Sequence, residues 1–108
     1  MTFQVILTED AVHDLEEIDD WICAHDSVES ADYVLGHIES RLNSLADMPE
    51  RGTYPGELAS LGNREYREIH FKPYRIIYRV VDKCVYICLV SDGRRDMQTL
   101  LNRRLLSF

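Results

Sequence analysis

Apolar residues recur at two different periods along this chain, and the change of period divides it into elements. Phe3-Gln4-Val5-Ile6-Leu7 is a short apolar run that reads as an opening strand. Thr8 suits a helix N-cap, because its hydroxyl can accept an otherwise unpaired amide of the first turn. Glu9 and Asp10 follow it, where the helix dipole favours acids. Ala11, Leu15, Ile18 and Ile22 then return every three or four residues, with Asp14, Glu16, Glu17, Asp19 and Asp20 between them. That spacing predicts an amphipathic helix to about Ala24. Trp21 lies beside its stripe and reads as an anchor for helix packing. A second helix starts near Ser27, with the stripe Ala31, Val34, Ile38, Leu42 and Leu45. The link His25-Asp26-Ser27 is short enough to force an antiparallel helical hairpin. Pro49 ends the second helix by pushing Met48 out of the helical region.

Residues 49–63 carry Pro49, Gly52, Pro55, Gly56 and Gly62 and read as an irregular loop. The period then drops to two, and strands are expected over 64–71, 74–81 and 84–91. Lys72-Pro73 and Asp82-Lys83 form the turns, so these strands are hairpin-linked and antiparallel. Residues 96–106 return to helical spacing through Met97, Leu100, Leu101 and Leu105, with Arg103 and Arg104 at the dipole-compatible end. The predicted order is β-α-α-β-β-β-α, an α+β fold in one domain over 1–108. Its helical hairpin lies on one face of a twisted antiparallel sheet, its other face is open, and a short C-terminal helix closes it. Val85, Ile87 and Leu89 form the more apolar side of their strand and should face the helices. Alternation groups Arg75 with Arg79 and Tyr74 with Tyr78, without showing which pair faces outward.

Charge changes this picture. The 108 residues carry a formal net charge of −7. Residues 1–50 hold thirteen acids against one base, Arg41, and residues 51–108 hold eleven bases against six acids, so the halves balance at −12 and +5. Such a division suits a protein with two electrostatic faces, or acidic helices paired with a basic sheet. Arginines interleaved with tyrosines could grip phosphate while the rings stack on bases; the plainer alternative is solvated arginines beside half-buried tyrosines. The three cysteines, Cys23, Cys84 and Cys88, read as buried reduced thiols, since Cys84 and Cys88 lie about 13 Å apart along a strand, beyond disulfide reach. The four histidines form no ligand cluster, so neither a metal nor another cofactor is expected. No apolar run approaches a membrane span and Met1 to Thr8 lacks the basic start of a signal peptide, so a cytoplasmic protein without membrane contact is expected.

The stretch Arg67-Glu68-Ile69-His70-Phe71-Lys72-Pro73-Tyr74-Arg75-Ile76-Ile77-Tyr78-Arg79 resembles the central hairpin of RelE/ParE toxins. Val85-Tyr86-Ile87-Cys88-Leu89-Val90 and Gly93-Arg94-Arg95-Asp96 resemble the strand and basic turn that close that domain. Ala11, Asp14-Leu15, Ile18, Leu45, Pro49, Gly52 and Glu57-Leu58 fall where the family pattern puts them. The resemblance spans nearly the whole chain and implies the toxin of a type II toxin–antitoxin system, bound by a cognate antitoxin in a hetero-oligomeric complex. Toxins of this family are usually basic, and this chain departs from that.

The family divides by target. ParE-like members bind DNA gyrase, and that reading assigns target contacts to Arg94, Arg95, Arg103 and Arg104, with Lys72, Tyr74 and Arg79. RelE-like members cut mRNA on the ribosome, which would make the chain an endoribonuclease with Arg67, Arg75 and Arg94 on the scissile phosphate and Tyr78 or Tyr86 as proton donor. Lys72 matches a further basic position that a nuclease could use. Residues 97–108 contain no tyrosine or histidine, the helical hairpin is long, and an acidic protein approaches the ribosome against its field. These features favour gyrase. A non-toxic relative retained as an antitoxin-binding module is a third reading.

Overall fold

The computed structural model describes residues 2–106; Met1, Ser107 and Phe108, the ends of the expected single domain, lie outside the described residues. Along the chain come β1 (Gln4–Leu7), α1 (Glu9–His25), α2 (Val28–Ser44), the single turn α3 (Gly56–Ala59), β2 (Arg67–Phe71), β3 (Tyr74–Val81), β4 (Cys84–Asp92) and α4 (Met97–Leu101). A π-helical turn over Asn102–Leu106 continues α4. The expected α+β order is present, with α3 added inside the loop. Thr8 caps α1, its Oγ1 accepting from the Ala11 amide at 3.2 Å while donating to the Ile87 carbonyl at 2.7 Å. One hydroxyl therefore starts the helix and ties it to the sheet. Ser27 caps α2 in the same way, accepting from the Ser30 amide at 3.0 Å.

The strands lie in the order β1-β4-β3-β2. β2–β3 and β3–β4 are antiparallel hairpins, as expected, and Asp82 takes φ 55° in the second turn, the left-handed conformation that a two-residue hairpin loop requires. β1 instead runs parallel to β4, so the sheet is mixed rather than wholly antiparallel. No hairpin turn dictates the direction of β1. The helical hairpin carries the chain away from it, and β4 meets it only after two further strands. β2 is also shorter than the run over 64–71, beginning at Arg67.

One face of the sheet packs Ile69, Ile76, Tyr78, Val85, Ile87 and Val90 against Ala11, Ile38, Leu42 and Leu45 of the helical layer. The opposite face is covered, not open: Tyr66, Ile77 and Leu89 bury against Leu58 of α3 and Met97, Leu100 and Leu101 of α4. Leu89 thus sits opposite to Val85 and Ile87, which corrects the simple alternation. The cause is a β-bulge. Ile77 pairs with Leu89 but Tyr78 with Ile87, so Cys88 is an extra residue and every side chain after it changes face.

The bulge frees backbone groups that an ion pair satisfies. Asp14 of α1 and Arg104 meet in a two-pronged contact at 3.1 and 3.0 Å. Asp14 Oδ2 also accepts from the Val90 amide at 3.0 Å, and Arg104 Nη2 donates to the Cys88 carbonyl at 2.9 Å. Both side chains are largely shielded, 15% and 18% exposed. Removing either leaves a partly buried charge and an unpaired backbone group. Arg104→Ala is expected to lower unfolding free energy by about 2–4 kcal/mol, read as a lower urea midpoint with an unchanged slope. An effect indistinguishable from a surface substitution would show that the bulge does not depend on the pair.

Candidate functional site

The basic and aromatic residues singled out in the sequence divide among three places, set by strand alternation and the bulge. Tyr78 points into the helix-facing core and is fully buried. Its hydroxyl donates to the Pro49 carbonyl at 2.7 Å and accepts from the Gly52 amide at 3.0 Å, while burial raises its pKa. Gly52 is required there, because a Cβ would lie 2.6 Å from that hydroxyl and 2.7 Å from the Glu68 carbonyl oxygen. Tyr78 is a strut for the 49–53 loop, with its proton already committed.

Arg67 pairs with Tyr78 in register and leaves the sheet on the same side. It donates to the Gly52 carbonyl at 2.9 Å and to Tyr54 Oη at 3.1 Å. Arg75 lies on the opposite face. Glu57 of α3 takes it in a fork at 2.7 and 2.8 Å, and Glu68 of β2 adds a third contact at 2.5 Å. Glu68 also meets His70 Nε2 at 2.6 Å. Hydrogen bonding to Glu57, ahead of the opposing effect of burial, raises the Arg75 pKa; the same bond holds Glu57 below its usual range. Gly93 gives Arg75 its space, since a Cβ there would approach the side-chain Cδ to 2.8 Å. Arg67, Arg75, Arg94 and Tyr78 are therefore not gathered around one point.

Arg94, Arg95, Tyr74 and the exposed Trp21 border a groove of about 370 Å³ between α1 and the end of the β3–β4 hairpin, floored by Ile18 and Val90. Arg94 is 78% exposed and, among the described residues, its ion pair is with Asp92, two positions earlier, at 2.6 Å. Arg95 is exposed and reaches Ser91 Oγ at 3.4 Å. Asp14, Glu17 and Asp92 add carboxylates to the wall. Trp21 does not anchor the helices. It is 61% exposed and stacks on His25 at 4.2 Å, one turn along α1. Its place beside the stripe, rather than in it, turns the ring toward the groove.

Lys72 and Arg103 are exposed and outside this groove, Arg79 is half-exposed beside Glu65 at 3.8 Å, and Arg104 is held in the bulge pair. Cys23 is exposed and Cys84 and Cys88 are half-buried, all three free, so the expectation of three buried thiols does not hold for Cys23. The acids that neutralise Arg75 went unassigned in the sequence. Glu68, a lone carboxylate within an otherwise alternating strand, was the available signal. Among the described residues, no helix is long and apolar enough to cross a membrane.

A family model described as the ParE toxin of the type II toxin–antitoxin system parDE matches residues 5–97. Toxin ParE3 of Caulobacter vibrioides is 27% identical over 101 residues, covering 94% of this chain and 97% of that protein. Among solved structures, the chromosomal ParDE system of P. aeruginosa superposes with a TM-score of 0.71 at 20% identity, over 84% of this chain and 96% of that one. A mutant of E. coli toxin RelE in the free state gives 0.62 at 15% identity, over 97% and 100%. The toxin–antitoxin complex RelBE2 of Mycobacterium tuberculosis gives 0.57 at 21% identity, over 85% and 92%. At these identities the structural likenesses establish the fold.

The Glu57–Arg75 fork predicts a pH dependence. A carboxyl whose pKa is depressed in the folded state contributes stability above its unfolded value, near about 4.3, and loses it as pH falls through the folded value. Unfolding midpoints should therefore fall as pH drops below about 4.3, and Glu57→Gln should flatten part of that limb. Identical acid limbs in both proteins would show that the fork does not contribute.

Proposed function

The chain belongs to the family of ParE toxins of type II toxin–antitoxin systems, and from that membership we propose that it arrests growth by inhibiting DNA gyrase. In this reading the protein acts in the cytoplasm as one domain and is held silent by a cognate antitoxin in a hetero-oligomeric complex. The solved neighbours that are toxin–antitoxin systems support the antitoxin pairing.

The observation that carries the choice of target is the state of Arg75. A guanidinium that is to stabilise a scissile phosphate must be free to meet it. Here two carboxylates already occupy the guanidinium, which is only 15% exposed as a side chain. Arg67 is on the opposite face, and the Tyr78 hydroxyl is committed to backbone groups in the core. mRNA cleavage by this set would need at least two ion pairs and a buried hydrogen bond to be broken first. Recognition of a protein surface needs no such rearrangement. Arg94 and Arg95 stand at the rim of an apolar-floored groove with Trp21 and Tyr74, and aromatic and arginine side chains are the groups that most often dominate protein interfaces.

Arg94 and Arg95 are therefore assigned as the target-binding cations, with Tyr74 beside them and Arg103 on the adjoining helical segment. Reversing both charges, Arg94→Glu with Arg95→Glu, should abolish growth arrest and raise the concentration needed to inhibit supercoiling by at least about tenfold. The fold should survive, since the exposed Arg94–Asp92 pair adds little to stability. Full toxicity in a variant with a normal melting curve would remove these two residues from the proposal.

A further inference from the structure

A second basic site lies at the corner of the sheet where β2 gives out. β2 begins at Arg67, opposite Tyr78, so Arg79 on β3 has no β2 neighbour. Its side chain instead borders a cavity of about 280 Å³ together with Arg64, Arg67 and Tyr54. Three arginines thus border one small space at the sheet corner, Arg67 from the Tyr78 side of the sheet and Arg79 from the Arg75 side, in a chain of net charge −7.

The geometry is partly pre-set. Arg67 is fixed by the Gly52 carbonyl and Tyr54 Oη, with its guanidinium carbon 4.6 Å from the centre of the Tyr54 ring. Arg64 lies over the same ring at 5.7 Å. Among the described residues neither of these two arginines is in an ion pair, and Arg79 meets Glu65 only at 3.8 Å, with both side chains about half-exposed or more. Tyr54 Oη accepts from Arg67, so its own proton remains available to an incoming oxygen. Glu50 and Glu65 border the same cavity; Arg67 donates to the Glu50 backbone carbonyl at 3.4 Å, but among the described residues neither carboxylate is in an ion pair with Arg64 or Arg67. The unfilled demand is for an anion with more oxygens, and more charge, than one carboxylate supplies.

We propose that Tyr54, Arg64, Arg67 and Arg79 form a phosphate-binding site, distinct from the Arg94–Arg95 groove and independent of the gyrase assignment. A phosphate group offers several acceptor oxygens to planar guanidinium forks and to a phenolic donor, the pairing for which arginine is better suited than lysine. The group can come from free phosphate or from the backbone of a nucleic acid strand. The negative field of the whole molecule opposes non-specific anion binding, so saturable binding must come from a local site.

The test is an amide-resolved NMR titration of the full chain with inorganic phosphate and, separately, with a short oligothymidylate. Saturable shifts are expected at Gly52, Tyr54, Arg64 and Arg67, and Arg64→Gln with Arg79→Gln should weaken them by about tenfold or more. The melting temperature should hold, because among the described residues Arg64 is in no ion pair and the Arg79–Glu65 pair is long and exposed. If the double variant does unfold, Tyr54→Phe, which keeps the ring and removes only the donor, carries the same test by a smaller weakening. Tighter binding of oligothymidylate would identify the strand backbone as the source, and tighter binding of inorganic phosphate the free ion; both support the site. Absence of saturable shifts, shifts that survive in the variants, or tighter binding of polyglutamate than of either phosphate probe would overturn it.

Discussion

One extra residue in β4 sets the conditions for both layers of this protein. The bulge at Cys88 lets β4 present Val85 and Ile87 to the helical hairpin and then Leu89 to α3 and α4. A regular strand would have kept all three on one side and taken Leu89 away from the second layer. The irregularity frees an amide at Val90 and a carbonyl at Cys88, and the Asp14–Arg104 pair answers both. That contact joins α1, the centre of β4 and the C-terminal segment at one point. Among the described residues, the ion pairs that link the acidic and basic halves of the chain run from Arg104 to Asp10 and Asp14. The remaining acids of the hairpin are largely left to solvent.

The same alternation disperses the arginines. Arg67 and Arg75 stand eight residues apart across a tight hairpin, which in sequence suggests a shared task, yet they leave the sheet on opposite sides. Each is then occupied locally, Arg67 by the loop carbonyls and Tyr54, Arg75 by Glu57 and Glu68. Beyond the last strand Asp92 turns the chain, and Arg94 and Arg95 project at the groove rim. The groove they border is mixed in charge, since α1 of the acidic hairpin forms its other wall with Asp14 and Glu17.

Much of this was legible in the chain itself. Thr8 and Ser27 announced the helix starts, the stripes through Ile18 and Ile38 announced the buried sides, and Lys72-Pro73 and Asp82-Lys83 announced the hairpins. Period-two reasoning failed at Leu89 because a single inserted residue inverts the faces, and Cys88 carries no mark of being the extra one. The covered second face was hidden for a related reason: Leu58 and the leucines of α4 are ordinary helical apolar residues whose partner becomes visible only once the bulge is known. Trp21 was misassigned because adjacency to a stripe is not membership of it. The Arg75 clamp needed tertiary structure, since Glu57 comes from a loop that pattern alone leaves irregular.

The proposed choice of target rests on an Arg75 already paired with Glu57 and Glu68 and on Arg94 and Arg95 exposed at the groove rim. The measurement that tests this most directly sets the purified wild-type protein, in parallel, against gyrase supercoiling with trapping of cleavage complexes and against mRNA integrity in a translating extract. Inhibited supercoiling with intact mRNA is the predicted result. Codon-phased cuts in the mRNA with normal supercoiling would contradict it, and would mean that the Glu57–Arg75–Glu68 clamp opens on the ribosome.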